Sequence, residues 1–188
     1  RTGVTFARMN DRITLADRRF RPYIDPERLQ AAVADLGRRL TEDYAGREPL
    51  FIAILNGCFM FAADLLKTVE TDCTISFVKV ASYAGTASTG QVRELIGLDE
   101  DLAGRHVVIL EDIVDTGNTL ARLLPTIEAK EPASLAICSL LLKPDAVRED
   151  LDVRYVGMEI PNDFIVGYGL DYDGLGRNLR AIYVVDEV

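Results

Sequence analysis

Along the chain, short continuous apolar runs alternate with stretches whose apolar residues recur every three or four positions. Leu29, Val33, Leu36, Leu40 and Tyr44 share one helical face. Ahead of them Asp25-Pro26-Glu27 offers an N-cap, a proline at the first helical position and a first-turn acid, and Gly46 can end the element. Leu50–Leu55 is wholly apolar, the pattern of a strand buried on both faces. The same reading gives a helix over 58–67, a strand at Thr74–Val80, a buried strand over 105–110, a helix over 118–130 and a strand over 133–142. The small, polar residues 82–91 read as an exposed loop. Beyond Asp145 the regularity falls, leaving shorter strands over 154–157, 164–166 and 180–185 between loops rich in Asp, Asn and Gly.

Strands that alternate with helices predict an α/β fold whose parallel sheet is joined by right-handed crossovers. The chain has 188 residues, 48% of them hydrophobic, and no internal repeat or long linker, which fits one domain with a real core. The most apolar region, 50–66, is interrupted by Asn56, Gly57 and Asp64, well short of the roughly 18 apolar residues of a membrane helix. Residues 1–11 lack the apolar core of a secretory signal. The thiols Cys58, Cys73 and Cys138 are scattered and form no C-x-x-C pair, which argues against a disulfide framework or zinc site and for a reducing, cytoplasmic setting.

Charge narrows the chemistry. A net charge of −9 opposes binding to nucleic acid, whose backbone needs a basic face. It leaves room for a small phosphorylated ligand, because backbone N–H groups and a metal ion can hold phosphate. His106 is the single histidine and opens an apolar run with no nucleophile beside it, so a histidine-based triad is excluded.

The segment 107–120, VVILEDIVDTGNTL, concentrates the polar chemistry. Four apolar residues end a buried strand, Glu111-Asp112 and then Ile113-Val114 follow, and Asp115-Thr116-Gly117-Asn118-Thr119 opens a helix. A strand-to-helix turn presents backbone N–H groups at the carboxyl edge of the sheet, where open α/β folds bind ligands. Gly117 permits close approach of a phosphate, Thr116 and Thr119 add hydroxyls, and the helix dipole favours an anion. Glu111 and Asp112 are placed to accept hydrogen bonds from sugar hydroxyls or to hold a metal.

This segment resembles the phosphoribosyl-pyrophosphate signature of type I phosphoribosyltransferases, and EDIVDTG is similar to the hypoxanthine-guanine branch. Four further stretches match in order, so the resemblance spans about 50 to 185. It implies a central, mostly parallel sheet flanked by helices with a small irregular hood. The core would be about 25–145 and 178–188, and the hood about 150–177 with the N-terminal segment. It implies transfer of ribose 5-phosphate from phosphoribosyl pyrophosphate to a 6-oxopurine with release of pyrophosphate, dependent on Mg²⁺, in a homodimer or homotetramer.

Residue by residue, the resemblance assigns pyrophosphate contacts to Asn56-Gly57 in LNGCFMFAADLL, where relatives often have a non-proline cis peptide, and to Arg177. Ser82-Tyr83 would begin a lid that keeps water from the sugar cation. Lys143, ending SLLLK, would donate to the exocyclic oxygen of the base. In IPNDFIVGYGLDY, Phe164 would stack on the purine, the Ile165 backbone would pair with its edge, and Asp171 would hold the metal. Asp115 is the candidate to take the proton that the base sheds. Two other readings stay open: a xanthine-preferring enzyme, and a nucleotide- or RNA-binding regulator on the same fold.

Overall fold

The computed structural model describes residues 11–80 and 95–186. A hairpin comes first: β1 (Ile13–Leu15) and β2 (Arg18–Ile24) pair antiparallel. Helix α1 (Pro26–Asp43) then starts where the sequence signals it, with Asp25 Oδ1 accepting from the Arg28 N–H at 2.7 Å. Its buried residues Leu29, Val33, Leu36 and Leu40 form the stripe seen in the sequence.

The main sheet has six strands in the order β5-β4-β3-β6-β7-β8. These are β3 (Leu50–Leu55), β4 (Thr74–Val80), β5 (Leu95–Ile96), β6 (His106–Val114), β7 (Ser134–Leu142) and β8 (Tyr155–Glu159). All neighbours are parallel except β5, which runs antiparallel on the β4 edge. Helix α2 (Phe59–Leu66) follows β3, and α3 (Asn118–Glu128) follows β6. β3 is covered on both sides, as its apolar run requires. Phe51 and Ala53 pack in the cluster with α1 and α2, while Leu50, Ile52 and Ile54 pack in the cluster with α3.

Strand order positions the site. From β3 the chain steps outward to β4, then returns to place β6 on the other side of β3 and continues to β7 and β8. Connections after β3 and β6 therefore leave in opposite directions and open a crevice at the carboxyl ends of these two strands.

A second sheet, in the order β1-β2-β10-β9, is antiparallel and includes β9 (Ile165–Val166) and β10 (Ile182–Val185). Phe20, Val166, Ala181 and Tyr183 form its small core. The expected division into core and hood is corrected in two places. Residues 155–159, expected in the hood, extend the main sheet against β7, while 182–185, expected in the core, join the small sheet. In both cases backbone pairing overrides position along the chain: β7 offers an open edge, and β10 bridges β2 and β9.

Candidate active site

The turn after β3 and the end of β6 face each other across the crevice. The peptide between Leu55 and Asn56 is cis. A Cβ on Gly57 would overlap the Asp112 carboxylate, and a Cβ on Gly169 would overlap the Gly57 carbonyl. The end of β6, the 56–57 turn and the loop after β9 thus meet at a spacing that only glycine allows.

β6 runs on to Val114, past the strand expected over 105–110, so Glu111 and Asp112 are strand residues. Strand alternation sends them to opposite sides. Glu111 lines a small cavity of about 80 Å³ with Asp115, Thr116, Gly117, Asn118 and Thr119. Asp112 lines a larger cavity of about 310 Å³.

The small cavity sits against the start of α3. Gly117 caps the helix in the left-handed region, at φ 85°, and no side chain caps it. Its first-turn amides therefore remain open to an anion. The Asn118 N–H makes one long bond to Thr116 Oγ1, at 3.4 Å. Behind the turn, Arg148 N–H donates to the Thr116 carbonyl at 3.1 Å, and a Cβ on Gly117 would strike Leu151.

The larger cavity gathers Gly57, Asp112, Asp115, Lys143, Phe164, Ile165, Asp171 and Arg177, all expected from the sequence, and adds Ile113 and Leu170. Lys143 is buried, and its Nζ lies 2.8 Å from Asp115 Oδ2. Arg177 pairs with Asp171 at 2.5 Å and donates to the Gly169 carbonyl at 2.7 Å. Asp171 also accepts from the Gly174 N–H at 2.8 Å.

Phe164 is 41% exposed, so it is not spent on the core; it packs edge-on to Tyr172 with centroids 5.7 Å apart. Ile165 opposes Val184 while the Val185 N–H donates to the Phe164 carbonyl. In an antiparallel pair that register turns the Ile165 N–H and C=O away from β10, toward the open edge of the sheet.

Electrostatics separate these groups. Burial pushes the Glu111 carboxyl well above its usual range, with the charge of Asp112 adding to the effect. Its Oε2 is buried without a hydrogen-bond partner among the described residues. Burial likewise pushes Asp112 up to about 6, opposed by the Ile113 N–H and Arg177 and reinforced by Asp171. Beneath them the Cys58 thiol is raised well above its usual range by burial and these acids, which makes it a poor nucleophile.

Not every expected residue converges. Asn56 is exposed and lines neither cavity, which leaves its neighbour Gly57 as the contributor from that turn. Ser82 and Tyr83 lie outside the described residues. Sequence reasoning missed the apolar walls Ile113 and Leu170, which look like ordinary core positions. It also missed Arg18, whose guanidinium lies 5.8 Å from the Phe164 ring centre and 5.1 Å from that of Tyr172. Beside it, Asp17 accepts from the Tyr172 hydroxyl at 2.7 Å.

A family model described as a phosphoribosyl transferase domain matches residues 24–173. The chain is 43% identical over 167 residues to the hypoxanthine-guanine phosphoribosyltransferase of Mycobacterium tuberculosis, covering 85% of this chain and 83% of that protein. It is 41% identical over 157 residues to the hypoxanthine phosphoribosyltransferase of Escherichia coli, covering 82% and 88%. A crystal structure of a hypoxanthine-guanine phosphoribosyltransferase from Bacillus anthracis superposes with a TM-score of 0.79 at 38% identity, covering 88% of this chain and 96% of that one.

Proposed function

This chain belongs to the phosphoribosyl transferase family, and on that premise we propose that it salvages purines, transferring 5-phosphoribosyl from phosphoribosyl pyrophosphate to hypoxanthine or guanine. The products are IMP or GMP and pyrophosphate. The observation that carries this reading is the pairing of two cavities. A phosphate-sized one lies against the uncapped start of α3, and next to it a larger one joins a buried lysine, an exposed aromatic ring and an Asp–Arg pair.

Each part has a role that its surroundings support. The amides of Asn118 and Thr119, with the hydroxyls of Thr116 and Thr119, hold the 5-phosphate, and the helix dipole adds to the attraction. Asp115 and Gly117 shape the loop. Glu111 and Asp112, each lining one of the two cavities, receive the ribose hydroxyls. Phe164 stacks on the base, and the outward-facing Ile165 backbone pairs with its edge.

Lys143 donates to the 6-oxo group. Its ammonium rests on Asp115, and a 6-oxopurine offers the lysine a competing acceptor that draws it onto the base oxygen. That move frees the carboxylate of Asp115 to accept the base proton. Adenine offers the lysine an amino group in place of an acceptor, so nothing draws the ammonium from Asp115 and the carboxylate stays engaged. Gly57 and Arg177 contact the departing pyrophosphate.

Mg²⁺ fits the donor set. Among the described residues no group of three or more His, Cys, Asp or Glu forms a closed metal cage. Asp171 faces the cavity, and one or two carboxylates completed by substrate oxygens and water are what this ion takes. Asp171 would hold it, with Asp112 lining the same cavity, and when bound it would neutralise the charge that develops on pyrophosphate. The Asp171–Arg177 pair keeps both groups in place for that task.

The same reading places the enzyme in the cytoplasm, in keeping with its three free thiols. Its partners are the base and phosphoribosyl pyrophosphate, and its assembly is a homodimer or homotetramer, which light scattering after size exclusion tests. No described helix is long and apolar enough to cross a membrane. The test of function is a spectrophotometric assay of hypoxanthine, guanine, xanthine and adenine with phosphoribosyl pyrophosphate, with and without Mg²⁺. Magnesium-dependent turnover of hypoxanthine or guanine, and none of adenine, supports the reading; a preference for adenine, or for xanthine over both, overturns it.

A further inference from the structure

The loop that carries Asp171 and Arg177 is tied to the core by a polar cluster that has no part in the chemistry above. The Tyr168 hydroxyl donates to Asp64 Oδ2 at 2.6 Å, and Gln30 Nε2 donates to the same oxygen at 2.8 Å. Lys67 Nζ pairs with Asp64 Oδ1 at 2.5 Å. Tyr168 is buried although it belongs to a loop. Its backbone sits in the left-handed region at φ 50°, unusual for a residue with a side chain, and so needs support from its surroundings. Burial alone would penalise the Asp64 carboxylate, yet Lys67, Tyr168 and Gln30 outweigh that and hold it below its usual range.

The cluster joins three parts of the molecule. Gln30 comes from α1, Asp64 and Lys67 from the α2 region, and Tyr168 from the loop after β9. The residue after Tyr168 is Gly169, packed against the Gly57 carbonyl so closely that no Cβ would fit. Gly57 in turn leads into α2, the helix that carries Asp64. One helix therefore holds the 56–57 turn at its start and the 167–177 loop through its side chain.

We propose that Asp64 is a positioning residue for the pyrophosphate side of the site: by gripping the Tyr168 hydroxyl it sets the height of the 167–177 loop over the 56–57 turn. This rests on the reading of the cavity as a phosphoribosyl pyrophosphate site. The Lys143 and Phe164 side of the cavity is anchored elsewhere, on β7 and on the small sheet. The cluster therefore acts on one substrate and not the other.

Tyr168→Phe, Asp64→Ala and the double variant test it. Each single change is expected to raise KM for phosphoribosyl pyrophosphate roughly tenfold, with KM for the base unchanged, since a hydrogen bond to a charged group is lost. The double variant should be no worse than either single, because both remove the same link. Hydrogen exchange of the protein without substrate gives a readout independent of turnover. In Tyr168→Phe, the amides of both 167–177 and 55–58 should exchange faster while those of 134–142 do not. Equal rises in both KM values, or no change in either, would overturn the proposal, as would faster exchange confined to 167–177. A wild-type protein that transfers nothing defeats the proposed function instead, and the exchange comparison still decides whether the link exists.

Discussion

The Asp115–Lys143 pair, with Nζ and Oδ2 2.8 Å apart, puts the proton acceptor and the base-selecting donor in one contact. Asp115→Ala is expected to lower kcat by roughly 10²-fold with smaller changes in KM, in line with loss of a general base. Near-normal turnover would remove it from the mechanism. Lys143→Ala should act on choice rather than rate, narrowing the hypoxanthine-to-adenine ratio of kcat/KM by roughly 10²-fold or more. Asp112 makes a prediction about stability. Its folded pKa is raised to about 6 from 3.8, so the folded state binds the proton more tightly than the unfolded chain does. Stability from this group is full below pH 4 and is lost as pH rises through 6. Asp112→Asn removes that penalty and can still accept from the Ile113 N–H. It should stabilise the metal-free protein by about 1–3 kcal/mol at pH 7, and by much less at pH 4, while lowering activity. Thermal melts at the two pH values in chelator check the sign, and an Asn variant less stable at pH 7 would contradict it.

Elements differ in how openly the sequence announces them. The start of α1 was legible because Asp25, Pro26 and the apolar stripe all point to the same register. The acids of β6 were legible as a site but not as strand, since two adjacent carboxylates look like a turn until their burial is seen. The β1–β2 hairpin was not legible. Its two-residue turn is Ala16-Asp17, with Ala16 at φ 50°, where the glycine or asparagine that signals such turns is missing. Arg18 and Asp17 were missed with it, and so were their contacts to Phe164 and Tyr172. α3 offers the test at this scale. Gly117→Ala places a Cβ at φ 85° against Leu151, which should destabilise the protein by about 1–2 kcal/mol. It should also raise KM for phosphoribosyl pyrophosphate well above that for the base. A variant with unchanged KM would mean that the helix start does not hold the phosphate.

At the level of the whole molecule, the alternation of apolar runs and helical stripes was enough to anticipate a parallel α/β sheet. It could not give the strand order. The crevice exists because β4 and β6 lie on opposite sides of β3, a matter of pairing between distant segments that leaves no local trace. The same holds for the exchange of 155–159 and 182–185 between the two sheets. Topology brings Gly57, Asp112, Lys143, Phe164 and Arg177, spread over 120 residues of chain (177 − 57), around one cavity. A crystal structure of the protein with GMP tests that convergence most directly. The account predicts the 5-phosphate on the amides of 116–119, the ribose beside Glu111 and Asp112, and guanine between Phe164 and Lys143 with the Asp115–Lys143 contact broken. A nucleotide bound away from α3, or seated there with Lys143 still on Asp115 and no contact to the base, would contradict it.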